Sequence, residues 1–182
     1  MTSTSTTVVL NLLVNGGAES GLSNWIQTGI ILVTTDSGSE HTGYYPNSGS
    51  NCFYGGSGLL GSESSLLQNV NLLIGVKNFS TTQLDSGILS AKVTFYYQNY
   101  DQTIGTSDRV QIVLSFKSAS NSILANTSTG ELICPNRPGW CQASFMYPLP
   151  VGSRSIDYIM RFIRSIGISI ESYIDDNSLS II

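Results

Sequence analysis

The sequence predicts an all-β fold, a single-domain β-sandwich of about eight to ten antiparallel strands. Three observations carry that expectation. Apolar and polar residues alternate with a period of two wherever the sequence is regular, β-branched and aromatic residues concentrate in those segments, and Gly, Ser, Asn or Asp bounds each of them. Composition agrees, with 182 residues of which 41% are hydrophobic and only 11% charged, and with Ser plus Thr about a quarter of the chain. A helical bundle or coiled coil needs far more Ala, Glu, Lys and Leu. Disorder is excluded by plentiful apolar residues and a net charge of only −4.

Residues 1–7 form a Ser/Thr-rich stretch with nothing to bury, read as a flexible N-terminal tail ahead of a domain over 8–182. Val8 to Val14, interrupted by Asn11, is read as the first strand. The run before it lacks Lys and Arg, so it has no signal-peptide n-region. Asp36 to Gly61 is the main irregular segment, yet Tyr44, Tyr45, Cys52, Phe53 and Tyr54 give it material to pack. Leu66, Val70 and Leu72 make a short inward face. Leu89, Ala91, Val93, Phe95 and Tyr97 share one strand face against Ser90, Lys92, Thr94, Tyr96 and Gln98. Val110, Ile112, Leu114 and Phe116 repeat the pattern.

One segment fits two periods. Ile156, Ile159, Met160 and Ile163 sit at helical spacing, while Ile156, Tyr158, Met160 and Phe162 alternate as a strand. Strand neighbours, dense β-branched residues and the lack of an N-cap with a Glu follow-up before Ile156 decide for the strand. No other stretch reads as a helix, and none approaches the ~20 apolar residues of a membrane span.

The chemistry-bearing residues are few. Cys134 and Cys141 bracket Pro-Asn-Arg-Pro-Gly-Trp, a loop short enough to close as a local disulfide, which leaves Cys52 either buried or free for another partner. Zinc is disfavoured by a single histidine, His41, and no CxxC spacing. Asn78-Phe79-Ser80 and Asn126-Thr127-Ser128 are glycosylation sequons if the chain is secreted, and the composition is that of an extracellular protein. With 8 Lys+Arg against 12 Asp+Glu, nucleic acid and anionic membrane are poor partners. Catalysis finds no support. A Ser/His/Asp triad would have to use His41, read here as a solvated loop residue, and there is no GxSxG. Asp101, Asp108, Glu131 and Glu171 carry no paired-carboxylate signature.

The opening Leu12-Leu13-Val14-Asn15-Gly16-Gly17-Ala18-Glu19-Ser20-Gly21, followed by Trp25, resembles the start of carbohydrate-binding-module-type jelly rolls with a galactose-binding-like fold. The close, Tyr173-Ile174-Asp175-Asp176-Asn177-Ser178-Leu179, is similar to their final strand, and Leu149 to Ile156 to the turn into the penultimate one. The resemblance implies a structural calcium ion near the sandwich edge, with Glu19 and Asp175 as carboxylate ligands and Asp176 as replacement or helper. Two carboxylates plus carbonyl oxygens suit the six to eight hard oxygens calcium takes. Asn177 departs from the family's Val or Leu. A buried Asn needs partners, so either the last strand shifts there or Asn177 meets a polar neighbour.

For function, the resemblance implies a non-catalytic, lectin-like carbohydrate-binding module. Sugars lay apolar ring faces on aromatic side chains while polar groups take the hydroxyls. Tyr96 and Tyr100, with Gln98 between them, are the candidate platform on the outward strand face, Trp140 a candidate anchor, and Tyr44 and Tyr45 a candidate rim. The competing reading is a structural or self-assembling extracellular protein, a homo-oligomer or polymer. Scarce charge permits close packing, and the C-terminal Ile181-Ile182 and the N-terminal tail are its candidates for strand addition.

Overall fold

The computed structural model describes residues 10–75, 78–102 and 107–182. The predicted tail over 1–7, and the first residues of the domain, lie outside the described residues. Among the described residues there are ten strands: β1 (Ile26–Gln27), β2 (Thr34–Asp36), β3 (Cys52–Ser57), β4 (Glu63–Asn71), β5 (Ser90–Asn99), β6 (Arg109–Lys117), β7 (Ile123–Ser128), β8 (Cys141–Pro148), β9 (Ser155–Ile163) and β10 (Ser169–Ile181). They form two five-stranded sheets, ordered β1-β4-β9-β6-β7 and β2-β3-β10-β5-β8. The pairings between these strands are all antiparallel. The chain is an all-β sandwich.

Alternation builds the core. Ala91, Val93 and Phe95 of β5 face Val110, Ile112, Leu114 and Phe116 of β6 and Ile156, Tyr158, Met160 and Phe162 of β9 within one buried cluster. Segment 155–163 is therefore the strand its inward set predicts, with all four of those side chains fully buried. Trp25 joins the same core, packing edge-on to Phe53 at 5.5 Å.

Three local expectations need correction. No strand begins at the N-terminus: among the described residues the 10–14 segment is irregular, though it lies along β10. Leu12 N donates to Leu179 O at 2.7 Å, and the Asn11 side chain stands in for a strand's backbone, donating to Asn177 O at 2.9 Å and accepting from Leu179 N at 3.0 Å. The Asn that interrupts the apolar run thus makes the pairing itself. Within the irregular 36–61 segment, Cys52–Ser57 is strand β3, because its Tyr54 and Phe53 pack on opposite faces. A four-residue helix, α1 (Thr81–Leu84), closes with a capping box between Ser80 and Gln83.

Strand addition by the C-terminus is also overturned. Ile181 is 2% exposed and pairs with Ala91, and β10 lies at the centre of its sheet between β3 and β5. Cys52 has a buried free thiol, so it is unavailable to link subunits, and burial raises its pKa.

At Asn177 both sequence alternatives occur together. The β10–β5 register shifts between Asp175 and Ser178, with Asp176 at φ 49°. Asn177, 1% exposed, accepts from Tyr158 Oη at 2.9 Å and donates from Nδ2 to Gly16 O at 2.9 Å.

Candidate functional site

The outward face of the β2-β3-β10-β5-β8 sheet is where the aromatic residues collect, but it is not the open platform the strand pattern suggests. The loop between β2 and β3 folds back over it. Tyr44, Cys52, Tyr54 and Tyr173 form a second small core, with Tyr100 and Trp140 against its edge. Tyr44 is 4% exposed and stacks on Tyr173 at 6.0 Å, so it is a roof rather than a rim. Tyr45, at 60% exposure, is the rim residue.

His41 belongs to this roof as well, not to solvent. Its Nδ1 and Tyr173 Oη lie 2.7 Å apart, its Nε2 is 3.5 Å from Glu171, and its ring stacks on Tyr100 at 3.8 Å. A loop of Gly and Ser places a histidine freely, and the aromatic pocket then holds it. The remaining candidate acids are structural. Asp108 accepts from Ser165 N and Glu171 N, each at 2.6 Å, and burial raises its pKa. Asp101 pairs with Arg137 and Glu131 with Arg109.

Two open clefts flank the roof. The first, about 240 Å³, is lined by Gly43, Tyr45, Pro46, Gln98, Pro138, Gly139 and Trp140. The Cys134–Cys141 disulfide closes the loop that presents Trp140. Trp140 Nε1 and Gln98 Nε2 both donate to Tyr45 O, at 2.9 and 3.3 Å. The second cleft, about 350 Å³, is lined by Tyr100, Gln102, Ile166, Gly167, Ile168, Ser169 and Glu171. Both are at or below the lower end of the ~300–1,000 Å³ usual for enclosed small-molecule sites, so a ligand would lie across them.

The predicted set Tyr96, Gln98, Tyr100 and Trp140 is therefore divided. Gln98 and Trp140 meet in one cleft, and Tyr100 lines the other. Tyr96, half-buried opposite Gln142 and Asp175, lines neither. Gln98 is 1% exposed because the 43–47 loop lies over it, so it is not the free amide expected on an outward strand face. Gly43, Pro46 and Pro138 were missed. The signal for Pro138 was its place two residues before a Trp inside a disulfide-closed loop.

The terminal acids close on one loop. Asp175 Oδ2 accepts from Asn47 N and Ser48 N at 2.9 and 3.2 Å, and Asp176 accepts from Asn47 Nδ2 and Ser48 Oγ, both at 2.7 Å. Glu19 accepts from Ser50 N and Asn51 N at 3.0 Å. Among the described residues no group of three or more His, Cys, Asp or Glu side chains is arranged to hold a metal ion, so the three acids are not one ligand set. Asp175 and Asp176 lie side by side, and Asp175 Oδ1 also accepts from Asp176 N at 2.8 Å. Burial, with the neighbouring Asp176 charge, pushes Asp175 up to about 7. An added Cβ at Gly17 would sit 3.3 Å from Asp175 Oδ1 and 3.4 Å from Asp176 Oδ1, so the glycine leaves a small cradle open beside both.

Asn78 and Asn126, the sequon residues, are both exposed. No helix among the described residues is long and apolar enough to cross a membrane.

No family model matches the chain, and no curated protein matches it in sequence. Solved structures do resemble it. The enzymatically active domain of bacteriophage CBA120 tailspike protein 4 superposes with a TM-score of 0.63 at 17% identity, over 94% of this chain and 21% of that one. A Family 16 Carbohydrate Binding Module-2 gives 0.53 at 18% identity, over 93% and 99%. The CBM22-1 xylan-binding domain of a Paenibacillus barcinonensis protein gives 0.52 at 11%, over 95% of both chains. This chain spans about a fifth of the tailspike chain and nearly all of the two modules. The likeness establishes the fold alone, a β-sandwich jelly roll like that of these modules.

Proposed function

We propose that the chain is a non-catalytic, extracellular carbohydrate-binding module whose ligand lies against Trp140. The observation that carries the reading is the Trp140 cleft. A half-exposed indole is held by a disulfide-closed loop, and Tyr45 and Gln98 frame it on the sheet face of a jelly roll. A rigid indole gives apolar area at little entropic cost, and an ordered loop adds little more. Tyr100 and Gln102 in the neighbouring cleft extend the same face, which favours an oligosaccharide or polysaccharide over a single sugar. The disulfide and the two exposed sequons support an extracellular setting.

Calcium is the finer part of the proposal. Asp175 and Asp176 would be its carboxylates, beside Gly17, while Glu19 fastens the far side of the same loop. When bound, the ion would offset two adjacent negative charges and tie the N-terminal segment to β10. Its role would be structural.

A glycan array run with calcium and with EGTA tests the reading. Binding that disappears in Trp140→Ala, with the melting temperature kept, supports it. An array on which the folded protein recognises no glycan in either condition removes it.

A further inference from the structure

Each end of the sandwich carries a group of exposed apolar side chains, the second beside the Asp85–Arg154 ion pair. At one end Ile30, Leu32, Leu59, Leu60, Ile166 and Ile168 stand 50–82% exposed. They belong to three loops that are fastened together. Gly58 N donates to Ile168 O at 2.8 Å, and Gly61 lies against Ile30, 3.3 Å from where its Cβ would be. The Arg164 guanidinium bonds to the carbonyls of Gly58, Ile168 and Gly61. Its donors are thereby turned to backbone carbonyls. The six side chains expose on the order of 700 Å², above the ~300–600 Å² of the largest patch on a typical monomer.

The opposite end repeats the feature with different residues. Ile88 is 82% exposed, Val151 and Ile123 58%, Ile182 45% and Leu124 42%. Val151 lies 3.6 Å from a Cβ placed on Gly87, and Leu124 3.7 Å from one on Gly152, so the loops carrying them adjoin. Ile182 and Ser90 exchange both backbone hydrogen bonds. Strand β9 runs from the 149–154 turn to the 164–168 loop, so the two surfaces cap the same strands.

We propose that copies of this chain stack head to tail, the Leu59–Leu60 end of one seated on the Ile88–Val151 end of the next. Self-pairing of either end would leave the other apolar surface in water. One heterologous contact covers both, and such a contact propagates into a filament unless its rotation closes a ring. The six-residue face approaches the ~800 Å² per partner of a standard stable interface, and the five-residue face offers on the order of 500 Å². Low charge density leaves little repulsion between copies. The proposal does not rest on the carbohydrate reading: Trp140 belongs to neither end, although Ile166 and Ile168 also line the second cleft, which stacking would partly cover.

Sedimentation velocity of the intact chain up to about 200 µM tests it, with Leu60→Asp and Ile88→Asp as variants. Both sites are exposed, and circular dichroism checks that the fold is kept. The wild type should grow past dimer with concentration, and each variant alone should stop at monomer. Mixed in equal amounts, the variants should form a dimer, because Leu60→Asp keeps the Ile88 end and Ile88→Asp keeps the Leu60 end. A monomeric wild type at the highest concentration overturns the proposal, as does a mixture that stays monomeric. A dimer broken by one variant and untouched by the other would mean self-pairing, and a monomer that instead binds phosphatidylcholine vesicles would mean a lipid partner; both overturn it.

Discussion

Tyr158 Oη donates to Asn177 Oδ1 at 2.9 Å inside the sandwich, joining β9 of one sheet to β10 of the other. Both residues are at most 1% exposed. Neither partner has water to fall back on, so removing one strands the other. Asn177→Leu should cost about 2–4 kcal/mol, because it leaves the phenol unpaired and frees Gly16 O from the Nδ2 bond. Tyr158→Phe should cost less, about 1–2 kcal/mol. Adding Tyr158→Phe to Asn177→Leu should recover part of the loss. Urea unfolding of the four proteins gives the coupling, and strictly additive losses would mean the bond contributes nothing of its own.

The architecture was legible because burial in a half-buried strand imposes a period of two, and β5, β6 and β9 keep it without interruption. Asn11 and Asn177 show where that reading stops. Each breaks an apolar pattern, and only tertiary context reveals that Asn11 replaces a strand's backbone while Asn177 satisfies a core phenol. The site was legible in part for a similar reason. Trp140 announces itself by its disulfide-closed loop. The outward face of β5 reads as open because a sequence does not tell which loop will fold across a strand, and the 37–51 loop covers Gln98.

Two adjacent glycines separate fold from ion binding. An added Cβ at Gly16 would fall 2.2 Å from Asn177 O, a backbone atom that cannot step aside, so Gly16→Ala should destabilise severely or prevent folding. At Gly17 the same methyl meets only carboxylate oxygens at 3.3 and 3.4 Å. Gly17→Ala should fold, and should lose most of the rise in melting temperature that calcium gives the wild type. Thermal melts in calcium and in EGTA read both effects; an equal calcium response in Gly17→Ala would place the ion elsewhere or remove it.

Asp175 sets a pH dependence with a definite sign. Its folded-state pKa is raised, to about 7, above the ~3.9 of an unfolded aspartate. The folded chain therefore holds this proton more tightly than the unfolded chain. The stabilisation is complete below about pH 4 and is lost as pH climbs toward and through 7. In EGTA the melting temperature of the wild type should fall over that window relative to Asp175→Asn, which has no proton to lose. Calcium should reverse the trend, since it prefers the carboxylate, and its stabilising effect should grow with pH. Parallel melting curves for wild type and variant across the window would show that Asp175 is ionised throughout.

The loop that presents Trp140 depends on a short covalent closure. Cys134 and Cys141 are seven residues apart, and closing so small a loop restricts the unfolded chain by roughly 2–3 kcal/mol. For a domain of this size each kcal/mol moves the melting temperature by about 2–4 °C. Reduction, or Cys134→Ser with Cys141→Ser, should therefore lower it by about 5–10 °C while the sheets persist. Carbohydrate affinity should drop by more than stability alone accounts for. Trp140 directly precedes Cys141, and its indole bond to Tyr45 O must then hold a loop that no longer holds itself. Titration of the reduced protein well below its melting temperature isolates that effect. An unchanged affinity would show that the Trp140–Tyr45 hydrogen bond alone orders the cleft.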